Sequence, residues 1–379
     1  MASAERLVYG DGSYVEMSSV FQHLRQMLVL TVLVLTFIAA KAQIASTDRL
    51  HDDLSRFLSK PRFKASEKSQ ARATIREELR NVGLPVTTHS FTSDDLAEFG
   101  INLLSIQRGP HFGKMEDKVV IVAANYDTAE DSPGVDDNGS GTAALLETAR
   151  TVATFDRLYL RMNTIIYAFF DLKHQSNASV SGVLVLDGLL HFDAFPTSQG
   201  IPTGFEEVFP TAARELHEHQ HMGDFVQVIG RERTDDDVIE NFHMTFSRAI
   251  ATLAKDWSFH PWILTLRLPM EAITSVDDMQ RMHPYLFSDH SSFFFHSNHN
   301  ITLPTIYITD TQQYRGVRQY CSYCDSLFML TDPNMQFLTV ITEAVIRTVL
   351  YLSESEACAV VDDLLRFRSP MEPRSEFFS

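Results

Sequence analysis

Acidic side chains crowd one short stretch of this chain. Residues 123–150 read AANYDTAEDSPGVDDNGSGTAALLETAR, which sets Asp127, Asp136 and Asp137 in a turn between an apolar run and a helix-forming run. Carboxylates gathered at one strand end and one helix start can hold a metal or a substrate. Asp and Gly are also the ordinary residues of plain turns, so the cluster alone fits both readings. Other polar groups stand at or just beyond apolar runs: Asn125 after VVIVAA, Lys173 and His174 after IIYAFFD, and Asp187 after GVLVL. Farther along come Ser288-Asp289-His290 and Tyr320-Cys321-Ser322-Tyr323-Cys324-Asp325.

The elements that must position these groups follow from hydrophobic periodicity. KVVIVAA (residues 118–124), NTIIYAFFD (163–171), GVLVLDGLL (182–190) and TLPTIYITDT (302–311) are near-continuous apolar runs, as for strands buried on both faces. INLLSI, within residues 91–107, predicts another strand. Helical spacing marks residues 43–82, with Gly83 as a stop, and also 142–155 and 333–352. Strands alternating with helices predict an α/β, three-layer sandwich around a mixed, largely parallel sheet, with its site at the carboxyl ends of the strands. One domain over residues 43–379 is expected, without internal repeats.

Bulk properties exclude some functions. The net charge of −17 leaves no basic stripe for phosphates, so no nucleic-acid partner is expected. Residues 27–40, MLVLTVLVLTFIAA, follow Arg25 and end in an Ala-Lys-Ala site. Roughly fourteen residues fall short of a ~30 Å hydrocarbon core, so the segment reads as a secretory signal over residues 1–42, cleaved after Ala42. Met17 and Met27 are alternative starts, and an uncleaved signal-anchor is the alternative reading. No stable membrane span is expected once the signal is removed. Asn177 and Asn300 sit in glycosylation sequons, and Asn138 in a third inside the acidic turn.

Cys321 and Cys324 can close a disulfide, or Cys321 can be a free thiol or a metal ligand; Cys358 is the third cysteine. His217, His219 and His221 form an H-x-H-x-H run beside Glu215 and Glu218, which suits a solvated helix better than a metal site. Trp257, Trp262 and Phe293–Phe295 read as core or as an apolar pocket wall.

The order strand, x-Tyr-Asp, Pro-Gly-x-Asp-Asp-Asn-Gly-Ser-Gly, helix resembles the di-zinc aminopeptidase family, which includes plasma glutamate carboxypeptidase and the glutaminyl cyclases. The resemblance extends over roughly residues 76–353 through five stations. It implies that Asn125 stands where the family has a zinc-binding histidine, that Asp127 is the residue orienting that histidine, and that Asp137 is the metal-bridging carboxylate. Lys173 and His174 occupy the positions of a Glu-Glu pair, general base and zinc ligand respectively. Asp187 matches an acidic zinc ligand. Cys321 replaces a histidine ligand, and Asp289, His290 and Tyr320 fall in the substrate-pocket segments.

One implied zinc thus falls to Asn125, Asp137 and Asp187, and asparagine is a poor zinc ligand. The other falls to Asp137, His174 and Cys321, the single-metal arrangement of glutaminyl cyclases. Lys173, when protonated, cannot take a proton from water, and it opposes a dication; it can instead pair with Asp137 or Asp187. The expected function is therefore a secreted family homologue with zero or one zinc rather than two. Either it is catalytically impaired and binds peptide or protein N-termini in a retained pocket, or it is a one-zinc aminopeptidase or cyclase acting on those termini.

Overall fold

The apolar runs become strands of one eight-stranded sheet. The computed structural model describes residues 6–8, 14–16, 43–93, 98–171, 180–254, 257, 259–270, 276–295 and 303–366. Two units are distinguished. Residues Met1–Ile44 with Val361–Ser379 form one, in which β1 (Arg6–Val8) pairs antiparallel with β2 (Tyr14–Glu16). Ala45–Val360 forms the other and holds every site residue discussed below. The expected signal segment at 27–40 lies outside the described residues, as do Asn177 and Asn300.

The sheet of the larger unit comprises β3 (Val86–Ser93), β4 (Glu98–Gln107), β5 (Val119–Asn125), β6 (Ile165–Phe170), β7 (Val180–Leu186), β8 (Phe225–Arg231), β9 (Trp262–Leu268) and β10 (Thr305–Thr309). Their spatial order is β3-β4-β6-β5-β7-β10-β8-β9. The four central strands β6, β5, β7 and β10 are mutually parallel. β8 and β9 are parallel to each other but antiparallel to β10, and β3 and β4 are antiparallel. The sheet is therefore mixed with a parallel centre, as the run pattern predicts. β8 and β9 carry no such prediction, because Gln227, Thr265 and Arg267 interrupt their apolar pattern.

Both faces are covered. One carries α1 (Thr47–Arg56), α2 (Ala65–Asn81), α3 (Gly141–Phe155), α6 (Asp236–Leu253) and α9 (Asp332–Leu352). The other carries α4 (Phe205–Val208), α5 (Pro210–Glu218), α7 (Val276–Met282) and α8 (His290–Phe294). Alternation along β5 explains the layering: Ile121 and Ala123 join Phe205, Phe209, Leu216 and Phe293 in one apolar cluster. Val120, Val122 and Ala124, buried on the opposite pleat, face the other layer.

α9 has the length and hydropathy of a membrane span, yet 83% of its apolar window is buried inside the protein. Its Glu343 and Arg347 pair at 2.6 Å one turn apart, and Glu343 also accepts the Ala45 amide at 2.8 Å. The charges of this central helix are thus satisfied internally. α10 (Ala357–Arg366) ends the described chain.

Candidate functional site

Because β5, β6, β7 and β10 run in one direction, their carboxyl ends share one edge of the sheet. Asn125 closes β5, while Asp171, Asp187 and Asp310 follow β6, β7 and β10 directly. Four acidic or amide residues, up to 185 positions apart, thereby stand along one edge of the sheet.

The acidic turn is built from the backbone outward. Gly134 has φ +60, and a Cβ there would press on Thr128 and lie 2.5 Å from the Asp137 carbonyl oxygen. Only glycine fits such a corner. Val135–Ser140 then turns irregularly into α3, with a cis peptide between Asp137 and Asn138. The Asp136 and Asp137 amides donate to the Asp325 carboxylate at 2.6 and 3.0 Å. Arg318 contacts Asp136 Oδ2 at 2.9 Å and Asp325 Oδ2 at 3.0 Å through Nη1, with Nη2 3.7 Å from Asp137 Oδ2.

From beneath, the buried Arg62 donates to the carbonyls of Tyr126, Leu58, Lys60, Pro133 and Gly134. Asn138 amide hydrogens reach Asn125 Oδ1 and the Leu186 carbonyl, each at 2.8 Å. Its buried position also puts the third sequon out of solvent reach.

Electrostatics follow from this crowding. Burial, then the charge of Asp310, push the Asp136 carboxyl up to about 6 against the pull of Arg318. Asp187 is raised well above the usual range, by burial first and then by the Asp137 charge. Asp137 differs in access: its side chain is 43% exposed, whereas that of Asp136 is fully buried. Asp137 is therefore the carboxylate of the turn that meets solvent.

The remaining expected positions are engaged in internal bonds. Asn125 donates to Asp127 Oδ1 at 3.1 Å while accepting from Asn138. Lys68 lies 3.9 Å from Asp127 and 2.7 Å from Asp171, and Arg72 lies 3.3 Å from Asp171. Asp187 receives Ser288 Oγ at 2.6 Å on one oxygen and Gln312 Nε2 at 2.8 Å on the other. Cys321 is disulfide-bonded to Cys324. A bonded sulfur offers no thiolate, which corrects the placement of Cys321 among the metal ligands and realises its disulfide reading.

Lys173 and His174 lie outside the described residues. Arg318, Lys68 and Arg72 are the cations seen against the retained acids. Among the described residues, no three His, Cys, Asp or Glu side chains are arranged to hold a metal ion. The donor chemistry of the described residues points the same way: an amide engaged at both ends, a disulfide sulfur and a guanidinium set against the acids do not fit the zinc ions of the family.

Beside the acids, Ile201, Phe205, Tyr285, Phe287, Tyr307 and Thr309 line a small apolar pocket of about 20 Å³. His290 backs this wall: its ring stacks on Tyr307 at 4.4 Å and its Nε2 meets the Tyr285 carbonyl at 2.8 Å. Asp289 and His290 are buried, whereas Tyr320 is 85% exposed beside the disulfide. Phe293 and Phe294 are core residues. His219 stacks on Trp262 at 4.1 Å, and the His217 and His221 rings are 6.2 Å apart, so the three histidines do not converge.

Arg62, Lys68, Arg318 and Gln312, and the roles of Ser288 and Asp325, were not legible in the sequence. Asp325 stood at the end of a recognised station, but Arg318 precedes it with no pattern of its own. Only the demand that buried acids find partners points toward such a residue.

A model of Peptidase family M28 matches residues 109–173, the strand and acidic turn that carry the resemblance. Uncharacterized protein YfbL of Escherichia coli (strain K12) is 26% identical over 265 residues, covering 64% of this chain and 69% of that protein. The glutaminyl cyclase of Macrostomum lignano superposes with a TM-score of 0.53 at 12% identity, over 83% of this chain and 92% of that one. BSAP, a zinc aminopeptidase from Bacillus subtilis, gives 0.50 at 11% identity, over 81% and 95%. The architecture is thus the α/β fold of the zinc aminopeptidases and glutaminyl cyclases. Over residues 109–173 the family model that matches, Peptidase family M28, is the one the motif resembles.

Proposed function

We propose that this chain is a secreted M28-fold protein that binds amino termini of peptides or proteins without turning them over. The observation that carries the reading is Asp137, a solvent-reaching carboxylate whose described neighbours at family ligand positions are committed to internal bonds. A peptide ammonium supplies the positive charge and the donors that such a carboxylate accepts. The adjoining pocket around Tyr285, Phe287 and Tyr307 offers an apolar wall for the first side chain. The Cys321–Cys324 disulfide supports an oxidising, exported location. The one-zinc alternative loses Cys321 as a ligand in this state.

The test is calorimetric binding of a peptide library with free or acetylated amino termini, to wild type and to Asp137→Asn. A charge-assisted hydrogen bond contributes about 1.5–3 kcal/mol, so acetylation or the substitution should weaken binding roughly 10- to 100-fold. Binding indifferent to acetylation refutes the mode of recognition. Chelator-sensitive hydrolysis or cyclisation of those peptides refutes the absence of turnover.

A further inference from the structure

We infer that Arg318 is the resident cation of the acidic turn, standing in for a metal ion and barring divalent ions from it. The inference rests on the metal-free reading above and adds the residue responsible. Its guanidinium lies against three carboxylates, at 2.9 Å from Asp136, 3.0 Å from Asp325 and 3.7 Å from Asp137. The Arg318 side chain is 7% exposed, and those of Asp136 and Asp325 are 0% and 2% exposed. A guanidinium keeps its charge at every physiological pH and offers donors in a planar fork, so it serves two carboxylates at once.

The Asp325 carboxylate that receives Arg318 also receives the Asp136 and Asp137 amides. Cation and turn are therefore one hydrogen-bonded unit. The local chain is arranged for this. Arg318 lies in the short turn Gly316–Gln319, and Asp325 follows the turn Ser322–Cys324. The Cys321–Cys324 disulfide closes the segment between them, so both charged ends return to Asp136.

A divalent ion entering beside Asp137 meets the fixed, buried positive charge of Arg318. Removing the charge while keeping the three carboxylates changes the preference. The variant turn presents oxygen ligands without an internal counter-ion, which suits Mn²⁺ or Zn²⁺.

The test uses the full chain, purified without chelator or metal-affinity resin, as wild type, Arg318→Gln and Arg318→Lys. Zinc and manganese are titrated calorimetrically, and bound metal is counted by elemental mass spectrometry after dialysis. Arg318→Gln is expected to take up about one equivalent and bind at least ~100-fold tighter than wild type, while the lysine variant, retaining the charge, stays metal-free. A folded Arg318→Gln protein that takes up no more metal than wild type overturns the inference and leaves the metal-free reading standing. Equal uptake by the lysine variant also overturns it. If Arg318→Gln is unfolded without added ions, zinc or manganese must restore its wild-type circular dichroism, and failure to do so counts against the assignment. Stoichiometric zinc on the wild-type chain instead overturns the metal-free reading itself.

Discussion

Asp325→Ala removes the acceptor on which the acidic turn hangs. Its carboxylate receives the Asp136 amide at 2.6 Å, the Asp137 amide at 3.0 Å and Arg318 at 3.0 Å. Alanine leaves two amides without an acceptor, and each such group, where buried, costs about 1–3 kcal/mol. Arg318 keeps Asp136, so the guanidinium is not stranded. Against these losses, the variant relieves the desolvation that raises the Asp325 pKa. The net expectation is about 3–5 kcal/mol of destabilisation, a large share of the roughly 5–15 kcal/mol typical of a domain.

Asp325→Asn keeps one acceptor oxygen and should lose about half as much, roughly 1–3 kcal/mol. Urea unfolding followed by far-UV circular dichroism measures both, as a fall in midpoint at unchanged slope. A midpoint for the alanine variant equivalent to less than about 1 kcal/mol of loss would show that these three bonds do not organise the turn.

Two further outcomes follow from the same surroundings. His191 is buried, and its pKa is driven from 6.5 down to about 4, by burial first. The unfolded chain then holds more protons between those values, so this group's contribution declines as pH falls from 6.5 to 4, by at most about 3 kcal/mol. Asp136, raised to about 6, acts oppositely: the folded chain binds its proton first, which favours folding as pH falls through 6. His191→Gln should therefore lose less stability than wild type between pH 6.5 and 4, and parallel denaturation profiles would refute the assignment. Cys321→Ser/Cys324→Ser opens a short loop whose closure entropy amounts to about 2 kcal/mol, measurable by the same urea unfolding. A loss well below that would mean the neighbouring bonds already fix the segment.

Much of the fold was legible because burial writes itself into composition. Residues 119–125, 165–170 and 305–309 are apolar on both faces since helices cover both sides of the sheet. GVLVLDGLL was readable as a strand, but its end was not. Asp187 leaves the sheet with Gly188 at φ +67, so β7 stops at Leu186. β8 and β9 escaped notice for a different reason. Trp262, Ile263 and Thr265 are only partly buried, and Arg267 is exposed, so β9 lacks the continuous apolar signature.

The sequence by itself determined the strand–turn–helix frame, the acids at the strand ends and the family they resemble, because those depend on neighbours within a few residues. Partners remained for the tertiary structure to decide. Arg318 reaches Asp136 across 182 positions, Asp325 holds amides 188 and 189 positions away, and Gln312 caps Asp187 across 125. Such pairs carry no local pattern, since a buried charge selects whichever opposite group the folded chain brings within reach. The fate of Cys321 was settled likewise: its spacing allowed thiol, ligand or disulfide, and the turn at Ser322–Cys324 brings the two sulfurs together.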